Sequence, residues 1–152
     1  MNRKDLIDKL KQHFDIRELV CPHTYARFGD MSWMFLSDKL LQLLYILRFE
    51  ILKTPMIIND YVNKGTFTQR GFRCNICNIT KSNTERGRIY LSAHTTGNGI
   101  DVVFRNITAA MARDIITQNI DKIPFPIRME RDVSWLHIDV YDNGNGDKIT
   151  LF

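Results

Sequence analysis

Residues 37–53, SDKLLQLLYILRFEILK, limit the fold more than any other stretch of the chain. Ser37 supplies an N-cap, and the leucines and isoleucines that follow cover much of the helix circumference rather than one stripe. A helix that apolar needs other elements on several sides, so it predicts the central packing element of a small domain. Thr54-Pro55 ends it, because the residue before a proline is pushed out of the helical region. A chain of 152 residues can bury roughly two-thirds of its unfolded surface, enough for one core around such a helix. A single domain over residues 1–152 is therefore expected.

The remaining pattern sets the fold class. Residues 3–14 place Leu6, Ile7, Leu10 and Phe14 at helical spacing, which predicts an amphipathic N-terminal helix. CPHTYARFGDMSW is rich in turn formers and reads as a loop. Met56-Ile57-Ile58 predicts a short buried strand. Residues 59–88 are polar and contain Cys74-Asn75-Ile76-Cys77; a loop that long inside a compact domain is usually functional or braced by metal. Ile89-Tyr90-Leu91 and Ile100–Phe104 read as strands, and Thr108 caps a helix over AAMARDIITQNI. IRMER, SWLHIDV and KITLF read as strands joined by turns, the second turn being DNGNGD. The order predicts an α+β fold with helices on one side of a mostly antiparallel sheet.

Several classes are excluded. No apolar run approaches the ~20 residues of a membrane span. The first residues, MNRKDLIDKLKQHF, are charged throughout and do not form a signal peptide. The chain is expected to be cytoplasmic as synthesised, acting elsewhere only through a release route or as part of a virion. Net charge is +4, but the basic residues are scattered, so a solvated surface is expected rather than a nucleic-acid partner. Three cysteines form no even disulfide framework, and in a cytoplasmic chain they are reduced or metal-bound.

The chemistry lies in two stretches. In SAHTTGNGID, residues 92–101, threonines, glycines and an asparagine let the chain reverse between His94 and Asp101. Asp101 then sits on a strand among Ile100, Val102, Val103 and Phe104, where an unpaired carboxylate is costly to bury. By itself this reads as a polar turn with a hydrated aspartate. SWLHIDV alters that reading, because His137 lies in an alternating apolar strand with Asp139 two positions on, in reach to orient its ring. Two histidines and one aspartate leave a fourth position open, the pattern of a catalytic rather than a structural zinc site.

S-x-H-x-x-G-x-x-x-D followed by W-x-H-x-D resembles the zinc D-Ala-D-Ala carboxypeptidases. Their relatives include L-Ala-D-Glu endopeptidases and phage endolysins, all with the hedgehog/DD-peptidase fold. Gly71-Phe72-Arg73 is similar to the family's S-G-Y-R segment, and Phe14–Leu19 with the helix from Ser37 resemble its N-terminal region. The resemblance implies His94, Asp101 and His137 as zinc ligands, and Arg73 and Ser92 as contacts for a substrate carboxylate or carbonyl oxygen. It implies hydrolysis of peptidoglycan stem peptides or cross-links.

The chain departs from this pattern at the general base, which many members place two or three residues before the last ligand. Those positions are Trp135 and Ser134, and neither can serve. Glu130 is the best substitute, with Asp132 and Asp139 as alternatives; an ion pair of Glu130 with Arg128 or Arg131 is the competing reading. A wall-binding or virion-structural module that keeps the metal and has lost its base is the rival to an enzyme. A nucleic-acid-binding module built on the cysteines would leave His94, Asp101 and His137 unexplained. Cys74 and Cys77, joined by Cys21 and His23, form a candidate structural zinc set; three buried reduced cysteines is the alternative.

Overall fold

Capping chemistry decides where most of the helices start. In the computed structural model, which describes residues 1–152, the Asn2 side chain accepts from the Asp5 N–H and opens α1 (Arg3–Leu10). Asp15 and Glu18 form a reciprocal capping box on α2 (Ile16–Leu19). Pro22 stands in the first turn of α3 (Pro22–Phe28), where its missing N–H costs nothing. Ser37 caps α4 (Asp38–Tyr45) by accepting from Leu40 N–H, as its sequence predicts. α5 (Asn78–Glu85) follows Cys77, and Thr108 caps α6 (Ala109–Gln118). The apolar helix runs on past Tyr45 as a wider-turned segment over Ile46–Ile51. It ends near Lys53, whose φ of 52° is left-handed.

The strands β1 (Gly99–Val102), β2 (Ile127–Met129), β3 (Leu136–Asp139) and β4 (Ile149–Leu151) form one sheet in the order β1-β3-β2-β4. β3 is antiparallel to both neighbours, and β4 lies parallel to β2 at the edge. Alternation along the strands splits the residues between two faces. Ile100, Val102, Leu136, Ile138, Ile127 and Met129 are fully buried, and they join Leu40, Leu41, Leu43, Leu44 and Leu47 in one continuous core. The opposite face carries Asp101, His137, Asp139 and Arg128. The mixed α+β class with a mostly antiparallel sheet is as expected.

Five local readings are corrected. CPHTYARFGDMSW is helical: α3 passes into a 3-10 segment over Gly29–Phe35, because Pro22 starts a helix instead of breaking one. Ile89-Tyr90-Leu91 is not a strand; Ile89 and Leu91 are 90% and 76% exposed, and no neighbouring edge pairs with them. Met56-Ile57-Ile58 contributes a single antiparallel bridge, Ile57 to Val103, although Met56 and Ile58 are buried as expected. The polar stretch 59–88 contains α5, whose Asn, Thr and Ser residues carry little helical signal. DNGNGD closes no hairpin: it lies in the connection that carries the chain from β3 past β2 to the far edge.

Gly97 ties the site loop to the central helix. Its carbonyl accepts from the Ser37 N–H at 2.9 Å. Its φ is +69°, and a Cβ there would lie 1.8 Å from the Phe35 carbonyl oxygen. Gly97→Ala is expected to lower stability by roughly 2–4 kcal/mol, combining left-handed strain with a backbone clash. Denaturant melts read by circular dichroism would measure it.

Candidate functional site

The register of β1 on β3 sets Asp101 directly opposite His137. Directly paired residues of antiparallel strands project from the same face, so the two side chains meet. His137 Nδ1 lies 2.8 Å from Asp101 Oδ1. The loop before β1 then reverses: Thr95 N–H donates to Ser92 O, and Asn98 N–H donates to Ala93 O. That reversal brings His94 Nε2 to 3.3 Å from the other Asp101 oxygen. All three side chains are buried, and their potential ligand atoms lie within 4.8 Å of one another.

Neighbouring groups orient both imidazole rings. His94 Nδ1 lies 2.9 Å from the Gly71 carbonyl. A carbonyl only accepts, so Nδ1 carries the hydrogen and the Nε2 lone pair faces Asp101. His137 Nε2 lies 2.9 Å from Asp139 Oδ2, which leaves Nδ1 directed at Asp101. Asp139 is fully buried and accepts from the Arg128 guanidinium at 2.9 and 2.8 Å and from Tyr141 N–H at 3.0 Å. Two oriented nitrogens and one carboxylate converge on a common point. Such N/O donor sets without thiolate suit a divalent metal.

Without a cation, a proton on His137 offsets the charge of the carboxylates beside it. Burial on its own would lower the His137 pKa, but hydrogen bonds to Asp101 and Asp139 outweigh it and raise the value to about 9. Burial would likewise raise Asp101 and Asp139, but the hydrogen bond from His137 at Asp101, and those from His137 and Arg128 at Asp139, hold both below the usual carboxylate range. The stabilisation from protonated His137 is thus complete below pH 6.5 and lost as pH rises through about 9. The carboxylates' contribution is present above pH 3.8 and lost on acidification below it. The chelated protein is expected to lose about 3 kcal/mol between pH 6.5 and pH 9.5, at 1.36 kcal/mol per pKa unit. Urea melts in chelator across that range would check it.

Arg73 stands at the rim. Its guanidinium donates to the Tyr90 hydroxyl oxygen at 2.7 Å and to Gln69 O, with a longer contact of 3.4 Å to Asp101. A cleft of about 280 Å³ opens beside it, lined by Phe67, Gln69, Arg70, Asp101 and Trp135 among others. Arg70 stacks on the Phe67 ring at 3.8 Å, and its Nη1 is buried without a hydrogen-bond partner. Sequence reasoning missed Arg70 and Tyr90. Two arginines three positions apart were the available signal for the first, and Tyr90 was hidden inside an apparent strand.

The other expected residues fall as follows. Ser92 Oγ accepts from His94 N–H at 3.2 Å, so it shapes the ligand loop. Glu130 N–H donates to His137 O at 3.3 Å, continuing the β2–β3 register until Glu130 stands opposite His137. Its carboxylate makes no ion pair, and Arg128 is engaged by Asp139 instead. Asp132 is exposed in the intervening turn with φ 61°. Cys21, His23, Cys74 and Cys77 form a second cluster, with potential ligand atoms also within 4.8 Å of one another. No helix is long and apolar enough to cross a membrane. Neither a protein-family model, nor a curated protein, nor a solved structure matches this chain.

Proposed function

We propose that the protein is a zinc-dependent peptidase of the D-Ala-D-Ala carboxypeptidase and L-Ala-D-Glu endopeptidase type, with a hedgehog/DD-peptidase-like fold, acting on peptidoglycan stem peptides or cross-links. One observation carries this reading: the Gly71 carbonyl and Asp139 orient His94 Nε2 and His137 Nδ1 toward Asp101, beside a cleft edged by two arginines. His94, Asp101 and His137 would hold zinc, and their donor set leaves a position open for water or substrate. When bound, zinc lowers the pKa of water to about 7 and polarises the scissile carbonyl.

The chain's own residues supply the rest. Glu130 accepts the proton of the attacking water and delivers it to the leaving amine. Arg73, held by Tyr90 and Gln69 O, receives the developing oxyanion or a peptide carboxylate through charge-assisted hydrogen bonds. Arg70, stacked on Phe67 at the edge of the same cleft, adds positive charge beside a carboxylated peptide end. Asp139 and Arg128 keep the His137 ring in register. The absence of an acid at Ser134 and Trp135 favours one other reading, a wall-binding or virion module that holds metal without turnover. Purified cell wall digested with the zinc-loaded protein and analysed by mass separates them. Released D-Ala or cleaved stem peptides, abolished by chelator, supports the peptidase. Intact muropeptides with fully loaded protein would support the module.

A further inference from the structure

We propose that Cys21, His23, Cys74 and Cys77 form a second metal site, a closed structural zinc site that clamps the segment presenting Arg73. It is independent of the peptidase reading. Its ligands come from two places far apart in the chain. Cys21 immediately precedes α3 and His23 lies in its first turn. Cys74 and Cys77 form a tight turn before α5, with Cys77 N–H donating to Cys74 O at 3.3 Å.

The distances fit a tetrahedron. Zinc bonds of about 2.3 Å to sulfur and about 2.0–2.1 Å to nitrogen, at tetrahedral angles, imply edges of about 3.8 Å between sulfurs and about 3.6 Å from sulfur to nitrogen. Cys74 Sγ lies 3.8 Å from Cys77 Sγ. His23 Nδ1 lies 3.6 Å from Cys74 Sγ and 3.7 Å from Cys77 Sγ. Cys21 Sγ completes the set, with every ligand atom within 4.8 Å of the others. The Thr24 hydroxyl, 3.1 Å from Cys21 Sγ, is placed to donate to a thiolate. Three sulfurs cannot pair off as disulfides, and three thiolates with one imidazole select a soft, tetrahedral ion. Four protein ligands leave no open position, so the site is structural.

Its position shows what it braces. Phe72 N–H donates to Leu19 O at 2.8 Å, and Cys21 N–H donates to Phe72 O at 3.0 Å, so the two ligand-bearing segments already lie side by side. Gly71 at this crossing has no room for a side chain, since a Cβ would come within 2.2 Å of Leu19 O. On its other side the same segment holds His94, through the Gly71 carbonyl and through Arg73 N–H donating to His94 O at 3.1 Å. A clamp at Cys74 therefore fixes the segment at the residue next to Arg73.

Cobalt substitution and metal analysis of the full chain test the site. After zinc loading and removal of excess, two zinc ions per chain are expected for the wild type and one each for Cys74→Ser and His94→Ala. Cobalt-loaded wild type should show a near-ultraviolet thiolate-to-cobalt charge-transfer band. The band should persist in His94→Ala, disappear in Cys74→Ser and return with Cys74→His, which restores a ligand. A wild-type protein with no such band, or with a Cys74–Cys77 disulfide found by mass, would overturn the proposal. So would one zinc per chain that Cys74→Ser leaves in place. A wild-type protein that binds no metal at His94, Asp101 and His137 would count against the peptidase and leave the thiolate band unchanged, so the two failures are distinguishable.

Discussion

His94→Ala is expected to remove the metal at His94, Asp101 and His137 and to lower wall hydrolysis by on the order of 10³-fold or more, equivalent to about 4 kcal/mol of transition-state stabilisation. The effect is large because the site has no spare ligand. Asp101 engages one histidine with each oxygen, and Asp139 is committed to Arg128 and the far side of His137. Nothing else in the cluster can fill the vacated position. His94 is nearly fully buried, so truncation also leaves the Gly71 carbonyl without its donor, and some stability is lost with the metal. Metal content of the purified variant, measured beside its melting curve, separates lost chemistry from lost fold. A folded His94→Ala protein that hydrolyses wall at the wild-type rate would refute the assignment of this centre as catalytic.

The parts of this arrangement that were legible in the sequence share a physical trait: each rests on local periodicity or local chemistry. The Ser37 and Thr108 caps, the apolar central helix and the alternation in SWLHIDV are patterns that a few consecutive residues enforce. The pairing of Asp101 with His137 needed one further step, that a buried carboxylate and a buried histidine on apolar strands must find partners. Where the reading failed, the deciding partner was distant. α3 begins at a proline, and Cys21, just before it, pairs with Phe72 far along the chain. Ile89-Tyr90-Leu91 has strand-like composition, but strands need an edge to pair with and these residues pair with none. β4 lies parallel to β2, an outcome set by the route of the whole chain rather than by DNGNGD. Arg70 gains meaning only once folding stacks it on Phe67 at the rim of the cleft.

Glu130→Gln is expected to reduce kcat by about 10²–10⁴-fold with metal content unchanged, the range associated with a positioned general base. The three candidate acids have separate fates. Asp139 is fully buried and already accepts from Arg128, His137 and Tyr141, so it cannot take a proton from water without dismantling the support of His137. Asp132 points from an exposed turn in left-handed backbone, beyond the strand pair that carries the site. Glu130 alone stands across from His137, anchored by its own backbone to the His137 carbonyl, with a carboxylate free of any ion pair. The substitution preserves shape and removes the carboxylate's charge together with its ability to accept a proton. A fall in kcat with little change in KM therefore places the role of Glu130 in the transition state. Full activity in Glu130→Gln together with loss in Asp132→Asn would move the base to the turn, and would mean that the turn folds down over the cleft when substrate binds.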